Sequence, residues 1–182
     1  LNNDRSHTKK ILYMMNNSKM MRHIIRNIKK RKLITLKINT KISEIVSSGI
    51  LKSVRSKNKN IEISYGSDGS GDLYKINNIL HFADVVGKAE FITADGGFDF
   101  SIDFNNQEQM ALRLVFTQVA YAITMQKYNG SFILKMFDTF NKGSVEIIYL
   151  LSCFYDSVII TKPNTSRYAN SEKYIVCKHF KL

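Results

Sequence analysis

Glu90-Phe91-Ile92-Thr93-Ala94-Asp95-Gly96-Gly97-Phe98-Asp99-Phe100 is the segment around which the other patterns of this 182-residue chain fall into order. Glu90 to Ala94 is apolar and β-prone, the pattern of a buried strand in an α/β sheet. Such a strand delivers Asp95 to its carboxyl end, and two glycines then let the backbone turn away. Open α/β sheets bind ligands at that edge. A lone Asp-Gly-Gly reads first as an acid capping the next turn. Two distant residues, Lys135 and Glu172, change the balance towards chemistry.

Downstream, Asn105 to Lys127 is the longest helical pattern, with Met110, Leu114, Phe116 and Val119 among its apolar positions, and Gly130 ends it. Ser131 to Met136 is a buried-type strand with Lys135 near its carboxyl end. A lysine in such a run is costly unless it reaches a partner or a cleft. Ser144 to Phe154 is a helix, and Ser157 to Thr161 a strand broken by Lys162-Pro163. A polar loop leads to Glu172, and Tyr174 to Cys177 is the last strand.

Upstream, Ile11 to Met15 reads as a short strand. Met20, Met21, Ile24, Ile25 and Ile28 fall at helical spacing after a candidate cap, Ser18. Leu33 to Ile38 alternates as a strand, Ile42 to Val54 is an amphipathic helix, and Asn60 to Tyr65 a further strand. Gly66-Ser-Asp-Gly-Ser-Gly-Asp72 is a glycine-rich loop without dinucleotide spacing, and no clear helix opens directly from it. Taken alone it reads as a flexible loop, though one able to bring backbone close to a ligand.

Strands alternating with helices predict an α/β fold, a mostly parallel sheet covered on both faces. The last two strands are joined by about ten residues without a helix, so they are expected as antiparallel neighbours. Asp95 and Lys135 then close parallel strands at the carboxyl edge. Glu172 opens an antiparallel strand at that same edge. Three ionisable groups distant in sequence meet along one rim.

The length suits one domain, residues 1–182, with a substantial core. Cys153 and Cys177 lie in apolar runs and read as buried thiols of a reducing compartment, cytoplasm or nucleus. No apolar run reaches membrane-spanning length, so no membrane partner is expected. His7, His23, His81 and His179 are scattered, and no metal is assigned. Residues 1–61 hold 16 Lys and Arg against 2 Asp and Glu, leaving 11 and 13 for the rest. The first third is therefore about +14 and the remainder about −2, an asymmetry that points to a polyanion, nucleic acid before membrane. The basic start also has features of an organelle transit peptide. Opening on Leu1 rather than Met suggests a piece of a longer protein.

From Leu33 onward the chain resembles the FtsJ (RrmJ) type of RNA 2′-O-methyltransferase, closest to the Adrift-type branch that includes cap methyltransferases of eukaryotes and large DNA viruses. The resemblance rests on Tyr65-Gly-Ser-Asp-Gly-Ser-Gly-Asp72, Ala94-Asp-Gly-Gly-Phe98 and Asn106-Gln-Glu-Gln109. It continues through Gly130-Ser-Phe-Ile-Leu-Lys-Met-Phe137, Lys162-Pro-Asn-Thr-Ser-Arg167 and Asn170-Ser-Glu-Lys-Tyr-Ile-Val-Cys-Lys178. It implies a Rossmann-like class I methyltransferase fold with a seven-stranded sheet. It implies S-adenosylmethionine as cofactor and RNA, capped messenger RNA in particular, as partner. Of the family's Lys-Asp-Lys-Glu tetrad, the last three members fall on Asp95, Lys135 and Glu172. Gly71, Asp72 and Asp95 fall on cofactor positions, with Asp72 at the adenine side. Arg167, Lys162 and Ser166 are the implied RNA contacts, with Lys178 a further candidate for phosphate and Phe98, Phe100 and Tyr168 for base stacking.

The residue types suit the reaction. A ribose 2′-hydroxyl is a poor nucleophile near neutral pH. A lysine serves as its base with a depressed pKa, or when its proton leaves as the methyl transfers. Carboxylates orient the lysine and the hydroxyl, and in-line alignment does the rest. The first thirty residues depart from the pattern. The family's glycine cofactor loop should fall near Asn17-Ser18-Lys19-Met20, where no glycine stands, and Tyr13 occupies the place of its acid. The first tetrad lysine falls before Leu1 or is absent. The alternative reading is a degenerate methyltransferase fold that binds RNA or a partner without catalysis.

Overall fold

Alternating strand and helix patterns do assemble into one mixed sheet. A computed structural model describes residues 33–36, 64–96, 106–164 and 166–182. In chain order they form β1 (Leu33–Leu36), α1 (Ile76–Val86), β2 (Ala89–Ala94), α2 (Gln107–Met125), β3 (Gln126–Met136), α3 (Lys142–Phe154), β4 (Tyr155–Thr161) and β5 (Lys173–Phe180). The described strands lie in the order β1-β2-β3-β5-β4. β1, β2 and β3 are parallel, with Thr35 beside Thr93 and Ala94 beside Leu134. β5 runs antiparallel to β3 and to β4, so β4 points the same way as the first three. The last two strands are antiparallel neighbours, as their helix-free connection requires. The expected strand at Ile11–Met15 and the helices at Met20–Ile28 and Ile42–Val54 lie outside the described residues. Of the expected strand at Asn60–Tyr65, only Ser64 and Tyr65 are described, and they are not strand.

α2 holds the middle of the sheet. Its Ala111, Leu114, Val115, Val119, Ala122 and Met125 recur at helical spacing and are all buried. They face β2 and β3, where Ile92, Phe132 and Leu134 are fully covered. Each such side chain contributes about 1.5–3 kcal/mol on leaving water. At the junction of α2 with β3, buried Gln126 donates from Nε2 to the Ala89 carbonyl at 2.9 Å. Its Oε1 accepts the Tyr155 hydroxyl at 3.0 Å, so one amide ties β2, β3 and β4 together.

Three expectations need correction. α1 has no counterpart in the sequence reading, which found no clear helix after the glycine loop. Its buried stripe is only Asn78, Phe82 and Val86, and Lys75 at its N-cap makes no side-chain cap bond. Ile76 and Leu80 on its exposed side blur the apolar period. Secondly, Gly130 does not end α2, which stops at Met125, but lies within β3. A Cβ there would stand 2.8 Å from the carbonyls of Glu90 and Lys127. Glycine is needed because β3 passes close to β2 where the strand register shifts. Thirdly, Cys153 is exposed on α3, although Cys177 is buried, and both are free thiols. Cys153 sits in an apolar run on the outward side of its helix, which periodicity over a short helix failed to separate.

Burial pushes the Cys177 thiol up to about 12. At pH 8 a thiol reagent should therefore label one cysteine per folded chain, Cys153, and reach Cys177 only in denaturant. Mass spectrometry of the labelled peptides checks this, and equal labelling of both in the native protein would contradict the packing.

Candidate active site

The rim at the carboxyl ends of β2 and β3 collects the ionisable groups. Asp95 follows the last residue of β2, and Lys135 is the penultimate residue of β3. Because the two strands are adjacent and parallel, Lys135 Nζ reaches Asp95 Oδ1 at 2.7 Å, with the side chains 16% and 17% exposed. Lys135 also lies 5.8 Å from the centre of the Phe137 ring. β5 enters this edge from the opposite direction, pairing Tyr174 with Lys135. Glu172 precedes β5 by one residue and accepts the Tyr174 hydroxyl in a short hydrogen bond. It also accepts Asn170 Nδ2 at 3.3 Å. The Tyr174 phenol is held well above its ordinary pKa, by burial first, then by its bond to Glu172 and the negative charges of Asp95 and Glu172. The phenol thus feels both carboxylates and joins Glu172 to the Lys135–Asp95 pair. Its place was not read from the sequence, although strand alternation puts it on the same face as Glu172.

Neighbouring loops fix this rim. Glu108 at the start of α2 accepts the backbone N–H groups of Phe140 and Asn141, at 3.2 and 2.8 Å. Lys173 pairs with Asp138 at 2.7 Å. Ser171 donates to Gln107 at 3.1 Å. Lys162, a candidate RNA contact, directs Nζ inward, donating to Asn170 O at 2.7 Å, Asn170 Oδ1 at 2.8 Å and Glu172 O at 3.0 Å. Ser166 likewise donates to Asn170 Oδ1. These two residues staple the β4–β5 loop beneath Glu172, while Arg167 and Tyr168 of the same loop are exposed. Phe98 and Phe100, and the departing segment Tyr13 to Met20, lie outside the described residues.

The glycine-rich loop is densely bonded, contrary to the flexible loop expected from it. Gly66, Gly69 and Gly71 have φ of 84°, 69° and 69°. Buried Asn78 of α1 accepts Ser67 N at 2.9 Å and donates to Asp72 O at 2.8 Å. Asp68 accepts Lys75 and Ser70, which in that order hold its carboxyl well below the usual range. Asp72 accepts Tyr74 N at 2.8 Å. A Cβ at Gly69 would meet nothing within 4 Å, so backbone there faces open space.

The fold agrees with what the chain is similar to. A model of the FtsJ-like methyltransferase family matches residues 13–180. The chain belongs to the FtsJ-like methyltransferase family. Among its relatives is cap-specific mRNA (nucleoside-2′-O-)-methyltransferase 1 of Trypanosoma brucei brucei, 39% identical over 119 residues, which are 64% of this chain and 32% of the relative. The human protein of the same name is 40% identical over 123 residues, 64% of this chain and 15% of the relative. The chain thus spans a third or less of the length of these two relatives. A solved structure described as a ribosomal RNA methyltransferase from Plasmodium falciparum superposes with a TM-score of 0.55 at 17% identity, covering 91% of this chain and 98% of that one. A fibrillarin/Nop5p complex gives 0.56 at 15% identity, covering 96% and 74%. Both likenesses concern the fold alone.

Methyltransferases of this family use S-adenosylmethionine, and the described residues of this FtsJ-like chain suit it. Backbone at Gly69 faces open space three residues before Asp72, and Asp95 stands with Lys135 at the end of β2.

Two groups of α2 lie unsatisfied between these features. Among the described residues, Gln118, 0% exposed, finds no hydrogen-bond partner for either amide atom, and Tyr121 finds none for its hydroxyl. A Cβ on Gly96 would fall 2.1 Å from Gln118 Nε2, so the amide fills the space beneath Gly96. The Tyr121 phenol is pushed up by burial, then by Asp72 and Asp68. An unpaired buried amide costs about 1–3 kcal/mol. Gln118→Met, of similar shape, should therefore raise the midpoint of thermal unfolding by about 2–12 °C, and a lower midpoint would reveal a bond that the amide makes. The ion pair gives the opposite expectation. Lys135→Met leaves Asp95 without its cation and should cost about 2–3 kcal/mol. Adding Asp95→Asn should then cost less than it does alone, a coupling that denaturant titration of the double-mutant cycle reads directly.

Proposed function

We propose that this chain is an RNA ribose 2′-O-methyltransferase acting next to the cap of messenger RNA. The observation that carries the reading is the Lys135–Asp95 ion pair at 2.7 Å, on the rim that also holds Glu172. Support for the cap-proximal position comes from relatives named for that activity. S-adenosylmethionine, when bound, supplies a methyl group activated by its positive sulfur. The protein must present a ribose oxygen in line with that methyl and relieve the oxygen of its proton.

Each rim residue has a place in that task. Lys135, once its ammonium has passed a proton to solvent, accepts the hydroxyl proton at Nζ as the oxygen takes the methyl. Asp95, already paired with Lys135, stabilises the ammonium that results and borders the cationic cofactor. Glu172, oriented by Tyr174 and Asn170, accepts a hydrogen bond from the incoming hydroxyl and sets its direction. Asp72, with Gly71 beside it, would hold the cofactor, Asp72 at its adenine side. Arg167 meets RNA phosphate.

The second reading, a fold that binds RNA without catalysis, is favoured by the lack of glycine in Asn17-Ser18-Lys19-Met20. One assay separates the two. With S-adenosylmethionine carrying a labelled methyl and a short capped RNA, the chain should transfer label to the ribose. Lys135→Ala and Asp95→Ala should each lose at least about 100-fold in kcat, the usual scale for a positioned acid–base group. Asp72→Ala should act on cofactor affinity. No transfer by a folded chain, with no calorimetric signal for S-adenosylmethionine, would leave the non-catalytic reading.

A further inference from the structure

Two aromatic side chains stand nearly free of the protein beside the catalytic rim. Phe140, in the loop after β3, is 90% exposed, and Tyr168, in the β4–β5 loop, is 94% exposed. β3 and β4 both point to the carboxyl edge, so both loops emerge there. Each aromatic has an exposed cation close in sequence, Lys142 and Arg167 respectively. Their loops are not slack. Glu108 holds the Phe140 backbone, and the Lys173–Asp138 pair ties that loop to β5. Lys162 and Ser166 hold the Tyr168 loop through Asn170. A large aromatic kept in water on a fastened loop offers a ring face at little further cost in ordering.

We propose that Phe140 and Tyr168 form a stacking site for bases of single-stranded RNA, on either side of the nucleotide whose ribose reaches Lys135. The proposal rests on the RNA methyltransferase reading and adds to it the residues that grip the strand. The net charge of +12 on the whole chain favours a polyanionic occupant. Residues 62–182 carry a net charge of about −2, so attraction for phosphate comes mainly from the basic first third. Among the described residues of the rim, Phe140 and Tyr168 offer short-range contacts, and stacking on an aromatic face tolerates any base.

The test uses the whole chain and a fluorescein-labelled RNA of ten nucleotides, read by anisotropy at several salt concentrations. Phe140→Ala and Tyr168→Ala should each weaken binding by about 5- to 100-fold. The slope of affinity against salt should not change, because no phosphate contact is lost. Tyr168→Phe should keep the affinity. An RNA with an abasic site at the stacked position should bind weakly and be indifferent to the alanine variant. Neither ring touches the core, so thermal unfolding and S-adenosylmethionine affinity serve as controls. If RNA binds wild type and both variants alike, the stacking site is wrong and the methyltransferase reading stands. If the variants instead abolish a dimer seen by sedimentation, with RNA affinity unchanged, the rings cover a second copy and the proposal is overturned. If wild type binds no RNA, both readings fall together.

Discussion

A lysine and an aspartate held 2.7 Å apart on a mostly buried sheet edge constrain everything around them. Each charge loses much of its water there, and neither is tolerable without the other. The pair exists only if β2 and β3 are adjacent and parallel, with their ends level. That arrangement demands a crossover, and α2 supplies it while burying one face of both strands. The close pass at Gly130 belongs to the same requirement, since it brings β3 against β2 below the pair. The core and the site are thus one problem of register.

β5 completes the edge in a way no parallel strand could. A parallel strand in that position would present its amino end on the far side of the sheet. Running antiparallel, β5 brings its first residues to the rim and sets Tyr174 beside Lys135. Negative charge from Asp95 and Glu172 and the buried phenol of Tyr174 then share one patch with Lys135. Lys162 and Asn170 tie the approaching loop to the Glu172 backbone and side chain, so this carboxylate is fixed before any ligand arrives.

Much of this was legible in the sequence because it follows from chain direction. Buried-type runs ending in Asp95 and Lys135, and a helix-free link before Glu172, suffice to place three groups on one edge. What stayed hidden depends on side-chain contacts rather than on period. α1 escaped because its buried stripe begins with Asn78, whose value lies in hydrogen bonds to the glycine loop and not in apolar character. Gly130 has the sequence signature of a helix stop, because a glycine after an apolar helix usually is one. Its reason is a carbonyl of another strand, which no local pattern contains. Lys162 was counted among RNA contacts by charge and motif, yet its three hydrogen bonds all turn inward.

Two buried glutamines on α2 and at its end show how the chain distributes stability and function. Gln126 has its amide satisfied from two strands and locks the sheet away from the rim. Gln118, two turns earlier and just as buried, is left unsatisfied beneath Gly96, next to Asp95. A core built only for stability would place an apolar side chain there, because the amide loses its water for no bond in return. Uncompensated cost of this kind gathers where a site needs a particular shape or a polar group in reserve. Its position at the floor of the Asp95 turn, with Tyr121 similarly unpaired among the described residues, places this uncompensated stretch of α2 beside the rim. The well-bonded end of the same helix supports the fold.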